Sequence, residues 1–209
     1  MEERTLLLEM LASRICHDLI SPVGAIHNGI EFLDDMGPDA LEDALDLMRH
    51  STLQSTTKLK AFRLAYGAGG RDPSVKPEDV HIAINDLVTL ENKIVQDWDP
   101  HGDVTNICLD GFPKVLMGTL LLAMETLVKG GTLRVEKHGN TAHVIAKGED
   151  FLLRETIIDA LSGDTSAEDI DPRLVTAYLL GLNARDLNTS VIIEPSNEQI
   201  TFIISELNE

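Results

Sequence analysis

The sequence is poor in basic residues. Its 209 residues contain 17 Lys and Arg against 35 Asp and Glu, which gives a formal net charge of −18. Phosphate backbones are bound by clusters of Lys and Arg, and no such cluster is present, so nucleic acid is not an expected partner. So acidic a surface is either only solvated or steered towards partners that carry locally basic surfaces.

Cysteines and long apolar runs are also scarce. Cys16 and Cys108 lie far apart in apolar patterns, which favours a reducing compartment over a disulfide scaffold. A zinc site built on Cys16 and His17 is not expected, because adjacent helical residues diverge by about 100° and no second Cys/His cluster exists. No signal peptide is recognised, and the apolar run at 115–124 is too short to span a bilayer. We therefore expect a cytoplasmic protein without a metal site or a membrane segment.

Residues 3–35 follow a helical pattern in which apolar residues recur at steps of three and four. The stripe consists of Leu8, Leu11, Ile15, Leu19, Pro22, Ile26, Ile30, Phe32 and Leu33. His17 lies about 200° from Ile15 and therefore faces away from the stripe. Pro22 removes the main-chain hydrogen bond to the carbonyl of Asp18 and tends to kink the helix. An outward-facing histidine beside a distorted helical turn indicates a functional role.

A second helix is predicted at about 38–66, after a turn at 36–39. Its seam has heptad spacing and is formed by Leu41, Leu45, Met48, Thr52, Ser55, Leu59, Phe62 and Tyr66. A single hairpin cannot cover both apolar seams, so we predict a homodimer in which two hairpins form a four-helix bundle. The alternative is that residues 77–209 cover the hairpin within one chain.

From residue 77 the pattern becomes a mixture of helices and strands. Helices are predicted at 79–95, 113–128, 151–161 and 172–187, and strands at 103–109, 132–137, 141–146, 191–194 and 199–204. Adjacent strands joined by tight turns favour a mixed, mainly antiparallel sheet with a helical layer. The predicted fold class is α+β, with a helical hairpin domain at 1–70, a glycine-rich linker at 67–70 and an α/β sandwich domain at 71–209.

The segment His17-Asp18-Leu19-Ile20-Ser21-Pro22 resembles the H-box of bacterial histidine kinases in its histidine, acid, leucine and proline. Residues 14–26 and 62–67 resemble ChpT-type histidine phosphotransferases more specifically, and this resemblance spans essentially the whole chain. It implies a dimeric phosphoacceptor hairpin followed by a degenerate ATP-binding domain of the Bergerat type.

The second domain departs from a working kinase at three places. Gly118 and Leu122 stand where kinases of this kind have asparagines, and a leucine offers no oxygen to Mg²⁺. Ala146 stands where an aspartate would read adenine, and no glycine-rich loop precedes the helix at 174–187. We therefore expect no bound ATP, and a phosphotransferase in place of an autophosphorylating kinase.

The resemblance implies that His17 accepts a phosphoryl group from a receiver-domain aspartyl phosphate and passes it to the receiver of a second response regulator. A histidine of ordinary pKa, near 6.5, is mostly neutral at pH 7 and keeps the lone pair that such an attack requires. Transfer of this kind depends mainly on positioning and charge neutralisation. The receivers, including that of a hybrid histidine kinase, are expected to supply Mg²⁺ and a lysine, so this chain is expected to hold no cofactor of its own.

Several residues near His17 have two interpretations each. Asp18 either fixes the tautomer of the His17 ring or is a surface acid paired with Arg14. Ser21 either touches a phosphoryl oxygen or is only solvated. Lys58, which folding of the hairpin places level with His17, either neutralises phosphate or is a solvated lysine.

Gly24 leaves room below the histidine for a helix of another protein. Ile20, Val23 and His27 border this predicted receiver-docking face, although His27, like His50, lacks the H-box context and can also be an ordinary surface residue. Two other functions stay open at this point: an autonomous histidine kinase with a divergent nucleotide site, and a non-catalytic dimeric scaffold.

Overall fold

The computed structural model describes residues 2–68, 72–166 and 169–207, with side chains from Thr5 onwards. Two antiparallel helices open the chain: α1 spans Glu2–Met36 and α2 spans Leu41–Ala65. The predicted hairpin is therefore confirmed. The second helix begins later than predicted because Gly37–Ala40 form a 3₁₀ turn, which Gly37 enters with a left-handed φ of 68°. Half of the predicted linker, and with it the division at residue 70, lies outside the described residues.

The rest of the chain folds into helices on a five-stranded sheet. The elements are α3 (Pro77–Glu91), β1 (Ile94–Gln96), α4 (Phe112–Thr126), β2 (Gly131–His138), β3 (Thr141–Lys147), α5 (Glu155–Ser162), α6 (Val175–Asp186), β4 (Thr189–Pro195) and β5 (Gln199–Glu206). The strand order is β1-β2-β3-β5-β4, with β1 parallel to β2 and the other pairs antiparallel. The predicted α+β class and the mixed, mainly antiparallel sheet are confirmed.

The segment between α3 and α4 differs from its prediction. Helix α3 ends at Glu91, because the next residue, Asn92, has a left-handed φ of 55°, and Val95 therefore belongs to strand β1 instead of the helix. The strand predicted at 103–109 is wrong, because Asp103–Asn106 form a 3₁₀ turn. Its buried residues, Val104 and Ile107, are three positions apart, a spacing that suits a turn and not the two-residue period of a strand.

Two later helices are shorter than predicted. Helix α5 begins at Glu155 after extended residues, of which Leu152 donates its main-chain N–H to the carbonyl of Thr126. Helix α6 begins at Val175, three residues after Pro172. In both cases apolar residues precede the helix, and they extend its apparent periodicity towards the N-terminus.

The core lies between the sheet and the helices. The inward-facing apolar residues of β2, β3 and β5 are at most 5% exposed, and they alternate with outward residues: Leu133, Val135, Ala142, Val144, Ala146, Ile200, Phe202 and Ile204. Helix α4 packs across the middle of this face and contacts β2, β3 and β5. Because α4 is buried on most sides, its one carboxylate, Glu125, is unusual in its surroundings.

Within the part of the chain that the structure describes, one end of the hairpin packs against this core and the other does not. Ala61, Leu64 and Ala65 of α2 belong to the core, and Leu7 and Met10 of α1 pack against it. Elsewhere the hairpin exposes apolar side chains, namely Ile20, Val23, Ile30, Phe32, Met36, Leu41, Leu47, Leu53 and Leu59. The alternative that the second domain covers the hairpin therefore holds for one end only. Among the helices of the described residues, none combines the length and apolar character needed to cross a membrane.

Candidate functional site

His17 projects from the middle of α1 into solvent. Its side chain is 84% exposed, and its Nδ1 atom lies 3.3 Å from Oδ1 of Asp18. In the tautomer that carries its proton on Nδ1, this nitrogen donates to Asp18 and the lone pair lies on Nε2. The arrangement therefore presents an accessible nitrogen nucleophile on the surface of α1.

Asp18 uses its two carboxylate oxygens for different partners. Oδ1 faces the ring of His17, and Oδ2 accepts a hydrogen bond of 3.1 Å from Nε of Arg14, one helical turn earlier. Asp18 therefore makes the contact with Arg14 that one interpretation expects and also lies beside the His17 ring, as the other requires. Its effect on the tautomer of His17 stays a prediction.

Arg14 connects this helix to the second domain. Its Nη2 donates to Oε1 of Glu125 in α4 at 2.8 Å, and its Nη1 donates to the carbonyl of Pro172 at 3.3 Å. The same oxygen of Glu125 accepts a hydrogen bond of 2.9 Å from the Thr176 hydroxyl, and the Tyr66 hydroxyl lies 3.4 Å from Thr176 Oγ1. Residues of α1, α4 and α6 and the residue that follows α2 therefore meet in one polar network.

Burial decides the electrostatics of this network. It raises the pKa of Glu125, although Arg14 and the hydrogen bond from Thr176 oppose the change. Burial lowers the pKa of Arg14, but the carboxylates of Glu125 and Asp18 outweigh it, so that the net pKa is raised. Burial also raises the pKa of Tyr66. Arg14 therefore keeps its positive charge, whereas burial disfavours the charged form of the Glu125 carboxylate.

Lys58 reaches across from α2 to the main chain of α1. Its Nζ donates to the carbonyl oxygen of Asp18 at 3.1 Å, and this is the carbonyl that Pro22 leaves without a helical donor. The predicted level of Lys58 beside the H-box is therefore correct, and Lys58 is not simply a solvated lysine. A role in neutralising phosphate stays a prediction.

The predicted docking residues lie on the exposed side of α1. Ile20 and Val23 are 72% and 53% exposed, and Ser21 and His27 are exposed as well. A Cβ atom on Gly24 would meet no atom within 4 Å. At 100° per residue, three of the four docking residues lie within about 80° of His17, as does Ser21, and Val23 lies about 120° away at the edge of this face.

The positions that would bind nucleotide in a kinase are filled by apolar packing. Leu122 is 1% exposed and Ala146 is fully buried. A Cβ atom on Gly118 would lie 3.0 Å from Cδ1 of Leu180, so α6 packs directly against α4 at this point. Within the described ranges, no group of three or more His, Cys, Asp or Glu residues is arranged to hold a metal ion.

Sequence reasoning did not identify Glu125, Thr176 and Tyr66 as members of the site. One signal was available, because Glu125 is the only carboxylate in a helix whose other residues are mostly apolar and buried. A carboxylate in such surroundings requires a hydrogen-bonding or charged partner. The identity of that partner depends on contacts between distant segments and is not encoded in the local pattern.

The chain is similar to known phosphotransferases over nearly its whole length. Residues 77–199 match the family model described as the histidine phosphotransferase C-terminal domain. The chain is 30% identical over 200 residues to the protein phosphotransferase ChpT of Brucella abortus (strain 2308), covering 92% of each protein. It also resembles the solved structure of a bacterial phosphotransferase, with 28% identity, 95% of each chain covered and a TM-score of 0.75. The chain therefore belongs to the ChpT-type histidine phosphotransferases, which transfer phosphoryl groups in phosphorelays.

Proposed function

We propose that His17 is the phosphoacceptor of this phosphotransferase and that its partners are receiver domains. The observation that carries the proposal is the exposure of His17, whose side chain is 84% accessible on a helix and has Asp18 beside Nδ1. A nucleophile that must meet the active site of another protein needs such accessibility. The H-box sequence that begins at His17 and ends at Pro22 supports the same assignment.

For the transfer step, His17 needs only a lone pair on Nε2 and a proton that stays on Nδ1. Nε2 of His17 attacks phosphorus, the N–P bond forms, and the P–O bond of the aspartyl phosphate breaks with its electrons on the departing carboxylate. The proton stays on Nδ1, where Asp18 stabilises the positive charge of the phosphorylated ring. Attack by the aspartate of a second receiver reverses these changes and regenerates neutral His17.

The receiver is expected to dock on the exposed side of α1. Ile20 offers apolar contact area, and Gly24 leaves open space for a partner helix. Val23 lies at the edge of this face, where it borders the side that the proposed homodimer would cover. His27 provides a polar contact at the same face, and Ser21, one helical turn from His17, is expected to touch a phosphoryl oxygen. When bound, Mg²⁺ on the receiver would neutralise charge on the phosphoryl group, which requires no metal ligand from this chain.

The phosphoryl group is expected to come from a receiver and not from ATP. Leu122 and Gly118 form part of the apolar packing of α4, and Ala146 is buried in β3. None of these side chains provides an oxygen ligand for Mg²⁺ or an acceptor for an adenine amino group. The absence of kinase-type ligands at these three positions supports a relay in which another protein uses ATP.

A homodimer would cover the exposed apolar side of the hairpin. Val23 lies about 180° from Arg14 on α1, and Leu59 lies about 200° from Ala61 on α2. The second domain packs on the side of Arg14 and Ala61, and with the described residues alone Val23 and Leu59 on the opposite side are about half exposed. Burial of the apolar residues there in a second copy supports the predicted four-helix bundle.

A reducing, cytoplasmic setting is proposed as well. Cys16 and Cys108 are both free and exposed. Exposed free thiols suit a compartment in which disulfides are kept reduced.

The decisive experiment measures phosphoryl transfer from ³²P-labelled receiver domains of the same organism to the full chain. We expect acid-labile, alkali-stable label on the wild type and no label on His17→Gln. The matched control is His50→Gln, because His50 is a second exposed histidine of the hairpin and lies on α2, outside the predicted docking face. This control should be labelled like the wild type.

Other outcomes would identify the two other functions. Label on His17 from γ-³²P ATP without a receiver would establish an autonomous kinase. Unchanged labelling of His17→Gln would refute His17 as the acceptor, and unchanged partner readouts in a cell carrying this variant would establish a scaffold.

A further inference from the structure

An unbroken series of polar contacts runs from the second domain to the ring of His17. Oε1 of Glu125 lies 2.8 Å from Nη2 of Arg14, and Nε of the same guanidinium lies 3.1 Å from Oδ2 of Asp18. The other oxygen of Asp18 lies 3.3 Å from Nδ1 of His17. Carboxylate, guanidinium, carboxylate and imidazole therefore alternate along this path.

We propose that Glu125 is a positioning residue for phosphotransfer, acting on His17 through Arg14 and Asp18. Glu125 does not touch the reacting atoms, and its effect is to hold the Asp18 carboxylate in the orientation that fixes the ring. This proposal rests on the proposed role of His17 as the phosphoacceptor. It gives the second domain a part in the chemistry, in addition to any contact that it makes with a receiver.

The first argument concerns the orientation of Arg14. An ion pair between residues four apart on a helix surface is weak, because a long arginine side chain has many competing rotamers. The contact with Glu125 adds a second anchor from another element, and Thr176 donates to the same Glu125 oxygen and holds it in place. Arg14 and Glu125 are only 25% and 32% exposed, so their attraction is screened less than that of surface ion pairs.

The second argument concerns charge. Arg14 faces two carboxylates, so its positive charge is shared between Glu125 and Asp18. Without the charge of Glu125, the guanidinium would draw more strongly on Asp18 and make it a poorer acceptor for the ring N–H. The phosphorylated ring, which is positively charged while Nδ1 keeps its proton, would then lose stabilisation.

The direct test is Glu125→Gln, which keeps the side-chain length and an oxygen acceptor for Thr176 and removes the charge. We expect the rate of transfer from a ³²P-labelled receiver domain to fall roughly tenfold at unchanged receiver affinity, because misorientation at the reacting centre is costly. The matched control is Asp97→Asn, which breaks the ion pair of 2.6 Å between Asp97 and Arg134 on the sheet. This control should transfer at the wild-type rate.

Three measurements separate positioning from a merely structural role. ¹⁵N NMR of the His17 ring should show a smaller fraction of the Nδ1–H tautomer in Glu125→Gln. The charge-swapped double variant R14E/E125R should recover thermal stability but not the transfer rate, because a carboxylate at position 14 cannot donate to Asp18. Glu125→Gln should also have little further effect on the transfer rate in an Asp18→Asn background.

Wild-type transfer by Glu125→Gln, or full recovery of the rate in R14E/E125R, would overturn the positioning role. Either result leaves the acceptor assignment standing, because His17→Gln tests that assignment separately. Label on His17→Gln would instead remove the proposed function on which the inference rests.

Discussion

Lys58 donates a hydrogen bond of 3.1 Å to the main-chain oxygen of Asp18, the carbonyl for which Pro22 provides no helical donor. A proline inside a helix normally leaves one carbonyl unpaired and bends the chain. Here an ammonium group from the neighbouring helix takes the place of the missing N–H. The turn of α1 that carries His17 therefore depends on a residue 40 positions away.

The first prediction concerns Lys58→Met, which keeps the length of the side chain and removes its donor. The Asp18 carbonyl would lose its donor, and the half-buried site limits the access of water. We expect the free energy of unfolding to fall by about 1 kcal/mol, as measured by urea denaturation monitored by circular dichroism.

A double-mutant cycle with Pro22→Ala tests whether the lost hydrogen bond to the Asp18 carbonyl causes this decrease in stability. Alanine restores an N–H that can donate to the Asp18 carbonyl, so Lys58→Met should cost less in the Pro22→Ala background. A coupling of about 0.5–1 kcal/mol is expected. Additive effects would mean that Lys58 stabilises the hairpin through packing of its alkyl chain alone.

The second prediction compares two glycines of α1. A Cβ atom on Gly24 meets open space, whereas a Cβ atom on Gly29 would lie 2.8 Å from Cγ of Met48. Gly24→Ala should raise the free energy of unfolding by about 0.5–1 kcal/mol, because alanine favours the helix. Gly29→Ala should lower it by about 1–2 kcal/mol through overpacking, and a gain in stability for this variant would contradict the close contact.

A bulky residue at Gly24 separates stability from docking, in a third prediction. Gly24→Leu should leave the melting temperature within a few degrees of the wild type and weaken receiver binding by roughly tenfold, since it fills the space offered to a partner helix. The matched control is Asp35→Leu, which lies on the same side of α1 about 27 Å from His17. Equal binding by the two variants, measured by calorimetry, would exclude Gly24 from the docking face.

The hairpin and the direction of His17 follow from the sequence because both depend on local periodicity. His17 lies about 200° from Ile15 in any helix. The loss of the main-chain hydrogen bond from residue 22 follows from the chemistry of proline, which has no N–H. The partners of the site do not follow in this way. Arg14 and Glu125 are 111 residues apart, and β1 is defined by its pairing with Gly131 and not by a pattern of its own.

The fourth prediction concerns the open side of the hairpin. Ile30 and Phe32 are 47% and 40% exposed, but they point about 200° apart on α1. Only Ile30 lies on the side that the proposed homodimer would bury. Ile30→Glu should shift the molecular mass measured by light scattering from dimer to monomer, whereas Phe32→Glu should leave the dimer intact. A monomeric wild type would refute the dimer outright.

The fifth prediction concerns the stability of the β2–β3 hairpin against pH. Burial lowers the pKa of His143, and the neighbouring ring of His138, with a centroid 4.2 Å away, lowers it further, whereas Glu194 and Glu136 act in the opposite direction. The pKa of His143 is about 6.5 in the unfolded chain and lower in the folded chain. Between these two values the unfolded chain binds more protons, so the free energy of unfolding decreases as the pH falls through this window. His81, whose pKa burial also lowers, should contribute with the same sign.

His143→Gln removes this titration. The difference in the free energy of unfolding between wild type and His143→Gln should therefore favour the wild type more at pH 7.5 than at pH 5.5, in urea titrations at constant ionic strength. His81→Gln should change the difference in the same direction, because Gln cannot take up the proton that destabilises the folded state. If this difference did not depend on pH, or grew towards acid pH, protonation of His143 would not be what destabilises the folded state.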